Sequence, residues 1–337
     1  MKILQFTLIF LFAFVFTNNQ ILAQSVDTKN VRITYKQKPL KPLPEDIKTY
    51  STMIRSGYIL FDDEAKIERD YLRKLDGYQH VTQDGDLMIL VTFRGLDIID
   101  TEVKNDESEE KGKFNFRYNV TYTFPMKYEI YNQKTGEVIE EKEISSMNEE
   151  IKANFGKNNE FLTEELLIAG FKEGKGDFFI NIENQKAIEF LQVVRNSLQS
   201  NYAFPTKTYT LKVGQGKSRK LDYTYQENAK NYAVRAYQLM NKGQDPLKDF
   251  QKAIEIWEEE LEYLDLNNKK ARVNRKIGRW LHYNLAMAYA WMDDYESAEN
   301  HVLELELVER QGIGSNVNEN ELKRFINNRK QRYNANL

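Results

Sequence analysis

Between Phe114 and Phe124 the sequence alternates without a fault: Phe114, Phe116, Tyr118, Val120, Tyr122 and Phe124 are separated by Asn115, Arg117, Asn119, Thr121 and Thr123. Successive side chains of a strand point to opposite faces, so this pattern describes a strand with one buried face and one wet face. Such a strand needs a sheet and a layer to cover it. Pro125 ends the run or places it at a sheet edge. Next, Lys127 to Tyr131 and Glu137 to Ile144 flank Lys134-Thr135-Gly136 and read as a β-hairpin with a glycine-containing turn.

The flanking sequence supplies further strands and helices without a regular βαβ rhythm. Val31 to Tyr35 alternates as a half-buried strand, and the Pro39, Pro42, Pro44 cluster that follows forces an extended connection. Asp62 to Leu75 has helical spacing with Asp62 or Asp63 as its cap, and Leu87 to Phe93 reads as a buried strand. Asn105 to Lys113 is acidic and aperiodic, so an exposed loop is expected there. Residues 146–177 are polar and then apolar, and Gly174 and Gly176 predict a boundary or crossover loop. Ala187, Phe190, Leu191, Val194 and Leu198 share one face of a helix spanning Ile182 to Leu198. Tyr209, Leu211 and Val213 alternate as a strand before an expected loop from Gly214 to Lys220. The fold class expected for residues 26–220 is therefore α+β, a mixed and mainly antiparallel sheet with flanking helices, with a possible sub-boundary near 146–177.

At the N-terminus, Lys2 precedes the apolar stretch Ile3 to Phe16, and Ile21-Leu22-Ala23 offers a small residue at a cut. This is the pattern of a secretory signal peptide over residues 1–23, too short for a spanning helix of about 20 residues. Its removal leaves about 310 residues, enough for two domains by the usual prior. The expected location is exported, periplasmic or secreted, soluble, with no transmembrane segment after cleavage. The chain has 0 cysteines. That excludes disulfides, thiol nucleophiles, thiolate metal sites and a lipid-modified N-terminal cysteine, so no lipoprotein is expected. Its 48 Lys and Arg are interspersed with 51 Asp and Glu, and without a basic stripe nucleic acid is not an expected partner.

From Asp222 the periodicity becomes helical. Ala229, Tyr232, Ala233, Ala236, Tyr237 and Met240 form one stripe that Gly243 is placed to end. Asp245 and Pro246 open the next helix, along which Leu247, Phe250, Ile254, Trp257, Leu261 and Leu264 recur. After a break at Asn267-Asn268 come Ile277, Leu281, Leu285, Ala288 and Met292. Asp293 or Asp294 then caps a helix bearing Tyr295, Ala298, Val302, Leu305 and Val308. Past a loop at 312–316, Asn318 and Glu321 have capping-box spacing at the start of a terminal helix.

The run His282-Tyr283-Asn284-Leu285-Ala286, with Tyr289, Asp294-Tyr295 and Ala298, resembles a tetratricopeptide repeat. His282 stands for the family's Trp and Val302 for its Phe, and the closing Pro is missing. Ala233, Tyr237, Phe250 and Ala253 give a second, weaker match. The matched tyrosines, Tyr237 and Tyr289, are further apart than one family period of about 34 residues. The resemblance implies an all-α module of antiparallel helical hairpins over residues 222–335. In this family the first helix of each repeat lines a concave groove for a peptide or another protein. Carried over, the candidate groove residues are Asn231, Arg235 and Gln238 from the earlier match and Trp280, Tyr283 and Met287 from the later one. Trp280 and Met287 also suit ordinary core packing.

No motif announces catalysis. Gly216-Lys217-Ser218 looks like the end of a phosphate-binding loop, but Leu211 stands where that motif needs glycine. His80, His282 and His301 lack metal-ligand spacing, although His282 and His301 would meet if their helices pack antiparallel. No catalytic, cofactor-binding or metal site is expected, and no cofactor. The expectation is a non-catalytic exported protein that binds another protein or peptide in the cell envelope. Its alternatives are an envelope hydrolase with its site in the α+β region, or a structural component of an envelope assembly.

Overall fold

The alternating run becomes β6 (Phe114–Thr123), the central strand of a three-stranded sheet in the order β5-β6-β9, with β5 at Asp97–Glu107 and β9 at Ile151–Phe155. This computed structural model describes residues 25–56, 64–107, 114–146, 149–156, 161–218, 220–309 and 317–337. The expected signal peptide, the Asp62 or Asp63 cap and the 312–316 loop lie outside the described residues. The fold is α+β. No described helix is long and apolar enough to cross a membrane.

The chain divides into two compact units. One comprises residues 37–205. The other comprises β1 (Ser25–Lys36), β10 (Thr206–Lys217) and the helices that follow. The first unit is thus inserted in sequence between two strands of the second. The units part at residues 36/37 and 205/206, away from the 220–222 junction read from the change in periodicity. The reason is pairing: β1 and β10 run antiparallel from Ser25↔Lys217 to Lys36↔Thr206. Their inward side chains Val31, Ile33, Leu211 and Val213 join the core of the helices.

In the inserted unit a five-stranded sheet has the order β3-β2-β4-β7-β8. Its strands are β2 (Thr49–Ser56), β3 (Gln79–His80), β4 (Leu87–Phe93), β7 (Met126–Asn132) and β8 (Val138–Ser145). β2 pairs parallel with β3 and β4, and the β4-β7-β8 portion is antiparallel. The β7–β8 hairpin turns where expected, with Gly136 at φ +74° and the Asn132 side chain accepting the Lys134 and Thr135 amides. Asp86 accepts both the Lys48 and Thr49 amides at 2.8 Å and pairs with Lys134. The lysine first, then those amides, hold its carboxyl well below the ordinary range. The short helix α1 (Glu64–Tyr71) is fastened by buried Tyr50, whose hydroxyl receives the Leu75 amide and donates to the Leu72 carbonyl.

Two expectations fail in this unit. Asn105 to Glu107 continue β5 rather than opening a loop, since they pair with residues of β6. Gly174 and Gly176 do not break the chain, because the 38-residue helix α2 (Glu164–Asn201) runs through both. Leu167, Phe171, Phe178 and Ile182 occupy one arc of about 60° of this helix, and Ala187, Leu191, Val194 and Leu198 occupy another about 180° away. The N-terminal half packs on the three-stranded sheet, with Phe171 against Tyr118 of β6 and Phe155 of β9. The C-terminal half meets other elements: Ser197 bonds Tyr128 of β7, and Arg195 bonds the Asp70 carbonyl in α1. Tyr128 and Tyr202 both donate to Glu140 of β8, tying the end of α2 to that strand.

The second unit follows β10 with α3 (Thr224–Asn241), α4 (Leu247–Leu261), α5 (Arg275–Trp291), α6 (Tyr295–Glu309) and α7 (Glu319–Ala335). A parallel pair of two-residue strands, β11 (Leu264–Asp265) and β12 (Val273–Asn274), sits between α4 and α5. Neighbouring helices pack on one another in chain order. Their ends carry the chemistry read from the sequence. Gly243 takes φ +66° after α3, Asp294 accepts the Ser297 amide, and Asn318 accepts the Glu321 amide. At α4 the cap falls one residue later than expected: Pro246 takes the N-cap place, and Asp245, just before it, accepts the Leu247 amide at 2.9 Å. The expected loop from Gly214 is instead strand: β10 continues to Lys217. A Cβ on Gly214 would lie 2.4 Å from the Trp280 ring, and one on Gly216 would lie 2.2 Å from the Tyr223 ring. These glycines are there to let aromatic rings lie on a strand.

Candidate binding surface of the helical unit

The six candidate groove residues do not form one surface. Asn231, Arg235 and Gln238 fall on one exposed face of α3. Arg235 is not available there, because its Nε and Nη2 hold both carboxylate oxygens of Asp249 in α4. Its guanidinium also lies 5.2 Å from the Tyr232 ring centroid. Trp280 and Met287 of α5 are buried, at 4% and 1% exposure, so neither is open to a partner. Tyr283 is partly buried, and its hydroxyl bonds the backbone of Lys212 in β10.

What fills this inner face is the β1–β10 ribbon, gripped by its backbone. Asn284 accepts the Gly214 amide at 3.1 Å and donates to the Gly214 carbonyl at 2.7 Å. Gln226 accepts the Gly216 amide at 2.8 Å and donates to Glu260, which is itself paired with Arg272. Asn241 treats β1 in the same way, accepting the Thr34 amide at 2.7 Å and donating to the Arg32 carbonyl at 2.8 Å. Lys230 adds an ion pair to Asp27 at 2.7 Å. A carboxamide carries both a donor and an acceptor, so one side chain can meet both polar groups along a strand edge. These amides were invisible as a set in the sequence, because their partners are up to 209 residues away. The glycine-lysine turn is explained by the same grip: Gly216 gives its amide to Gln226, leaving no phosphate cradle.

His282 and His301 do meet. Their Nδ1 atoms are 3.1 Å apart in the α5–α6 hairpin. Burial, then the charge of His301, pushes His282 down to about 4, and burial lowers His301 against the opposing pull of Glu258. The Tyr289 ring stacks on His301 at 5.6 Å and its hydroxyl donates to Glu258. Among the described residues no group of three or more His, Cys, Asp or Glu is placed to hold a metal.

His80, in the inserted unit, has its Nε2 3.1 Å from the Thr52 hydroxyl oxygen. That hydroxyl donates to Glu68, which Arg73 pairs at 2.6 Å. With its proton committed to Glu68, the Thr52 oxygen is an acceptor for His80, and the wiring is that of a structural network rather than of an activated nucleophile.

A groove of about 450 Å³ between α4 and α5 has Ile254, Tyr289 and Met292 below and Glu255, Glu258, Glu259 and Glu262 around it. A smaller cavity of about 150 Å³ lies where β10, α5 and the start of α7 meet, and two of the sequence candidates, Trp280 and Tyr283, line it.

No family model matches the chain. No curated protein matches it in sequence. Among solved structures it is similar to a minor lipoprotein from Acinetobacter baumannii, at 11% identity over 48% of this chain and 100% of that one, with a TM-score of 0.25. It is also similar to a homolog of neuraminyllactose-binding hemagglutinin from Helicobacter pylori, at 13% identity over 47% of this chain and 94% of that one, with a TM-score of 0.21. A third likeness is to the uncharacterized lipoprotein B from Nitrosomonas europaea, at 13% identity over 47% of this chain and 88% of that one, with a TM-score of 0.20. Scores this low do not assign a shared fold.

Proposed function

We propose that this is an exported, non-catalytic scaffold of the cell envelope, built on a tetratricopeptide-like helical module that holds an extended ribbon and meets its protein partner on its outer surfaces. The observation that supports it is the two-point amide grip of Asn284 on Gly214 and of Asn241 on Arg32 and Thr34. Backbone-directed hydrogen bonds of this kind recognise an extended strand whatever its side chains. Here the strand comes from the same chain, and the two ribbon strands are also the two connections into the inserted unit. An adaptor that takes a foreign peptide on the Trp280 and Met287 face is not the reading we favour, since the ribbon already occupies it.

The test places photo-crosslinking residues at Asn231, Gln238, Glu255 and, in the inserted unit, Ile98, one at a time, in the native host. The scaffold reading expects a discrete protein adduct from at least one position. Folded protein that gives no protein adduct from any of the four would sink it, and adducts to envelope polymer alone would move the assignment to the hydrolase class.

A further inference from the structure

The cavity between β10, α5 and α7 combines three features that belong together chemically. Its first feature is aromatic walls. Trp280 and Tyr283 stand edge to face, with ring centroids 5.5 Å apart and planes at 76°, and Tyr209 of β10 supplies a further ring. Its second is size. The volume of about 150 Å³ equals that of an engineered protein cavity known to take benzene. That is room for a trimethylammonium group or for the end of a lysine side chain. Its third is charge. Glu321 lies at the rim with one carboxylate oxygen 3.3 Å from the Asn318 amide nitrogen.

The local charge points one way. Burial pushes the Tyr283 hydroxyl up to about 12, and the next contribution in the same direction is the charge of Glu321. Glu321 acts in the same sense on Tyr209. Lys212 also borders the cavity, but alternation along β10 turns its side chain away from the face that carries buried Leu211 and Val213. Glu319 is already taken by Lys323 at 3.2 Å. No Lys or Arg pairs with Glu321 among the described residues. The first turn of α7 therefore presents a negative charge at a helix end that would otherwise favour anions.

We propose that this cavity binds an alkylammonium group, held by the rings of Trp280 and Tyr283 and by the face of Tyr209 that Phe325 does not stack on, and neutralised by Glu321. A cation is attracted to aromatic faces by the ring quadrupole, and more strongly where water is displaced. An anion would be repelled by Glu321, and a neutral apolar guest would strip water from that carboxylate without replacing the lost interaction. The site stands apart from the scaffold reading, because it needs only this one corner of the fold. Two sources share the chemistry: a small quaternary ammonium compound and a lysine side chain on a partner.

The experiment titrates the full chain with choline, with its uncharged isostere 3,3-dimethylbutan-1-ol, and with a short lysine-containing peptide and its norleucine counterpart, at fixed ionic strength. Tryptophan emission and calorimetry report binding, Trp280 being one of 3 tryptophans. Saturable binding of choline or of the lysine peptide is expected, about tenfold tighter than the matched neutral ligand. Glu321→Gln, an exposed position whose folding is checked by thermal melting, should remove that preference. Tyr209→Leu should weaken the charged ligand more than the neutral one. Preference for choline assigns the site to a small molecule, and preference for the peptide assigns it to a partner's lysine. Equal binding of charged and neutral ligands, retention of the preference in folded Glu321→Gln, or no saturable binding of either ammonium overturns the proposal.

Discussion

The side-chain amide of Asn284 closes on the backbone of Gly214 at both ends, receiving its N–H at 3.1 Å and donating to its carbonyl at 2.7 Å. Asn284 is 2% exposed, so no water replaces it when it is removed. Asn284→Ala leaves a buried donor and a buried acceptor on β10 without partners. Each such group costs about 1–3 kcal/mol, so the helical unit should lose about 2–6 kcal/mol. Urea denaturation followed by far-UV circular dichroism measures it. Asn284→Asp should be worse than its size suggests, because a carboxylate cannot donate to the Gly214 carbonyl. A midpoint unchanged in both variants would show that the ribbon is not gripped this way.

Gly214 is itself constrained from the other side. A methyl group there would meet the Trp280 ring at 2.4 Å, below any ordinary carbon contact. Gly214→Ala must displace Trp280, which is 4% exposed, or bend β10. Overpacking of this kind costs about 1–3 kcal/mol. The expected signature is lowered stability together with a red shift in tryptophan emission, read at equal far-UV signal to separate it from unfolding.

How far the sequence discloses this protein depends on the range of the interaction that forms each part. β4 appears over its full length, Leu87–Phe93, as a local apolar run, and the alternation of β6 and the β7–β8 hairpin are equally local. The helix stripes after Asp222 follow from spacing alone. α2 escapes the same test because Leu167 and Val194 are buried on opposite sides of it, so no single stripe runs its length. β10 looks as if it ends at Gly214 because glycine marks turns in general, whereas here it makes room for Trp280 and Tyr223. The candidate surface suffers most. Trp280 lies against Gly214 of β10, and Asn284 bonds that glycine across 70 residues of sequence, so no local pattern shows that a strand covers this face of the helix.

The facing imidazoles of His282 and His301 make the helical unit sensitive to acid. His282 sits at about 4 in the folded chain against an ordinary value of 6.5, driven first by burial and then by His301. Its folded value is the lower one, so the unfolded chain takes up the proton more readily. The contribution of neutral His282 is complete above about pH 6.5, falls as the pH drops from there to about 4, and is then lost. The full shift corresponds to about 3 kcal/mol. Urea midpoints at pH 7, 5.5 and 4.5 should fall progressively in the natural chain. His282→Leu should flatten the difference between pH 7 and 4.5 relative to it, since general acid effects are common to both. Parallel pH curves for the two proteins would rule out this origin of the sensitivity.

Packing separates the glycines inside α2 into two kinds. Gly176 is exposed and a Cβ built on it meets nothing within 4 Å. Its backbone is ordinary helix, so alanine there should restrict the unfolded chain without a steric cost in the folded one. Gly176→Ala should stabilise the inserted unit by about 0.4–1 kcal/mol. Gly170 lies in the same helix, but a Cβ on it would stand 2.4 Å from the Phe161 ring. Phe161 stacks on Phe155 at 5.7 Å, and Phe155 in turn packs edge-on against Phe171 and Phe178, so its ring has little freedom to retreat. Gly170→Ala should therefore destabilise by about 1–3 kcal/mol even though alanine is the better helix former. Chemical denaturation of the two variants side by side gives the sign of each. If both shift the midpoint upward, helix propensity alone governs this stretch, and the aromatic cluster on the three-stranded sheet does not fix the first half of α2.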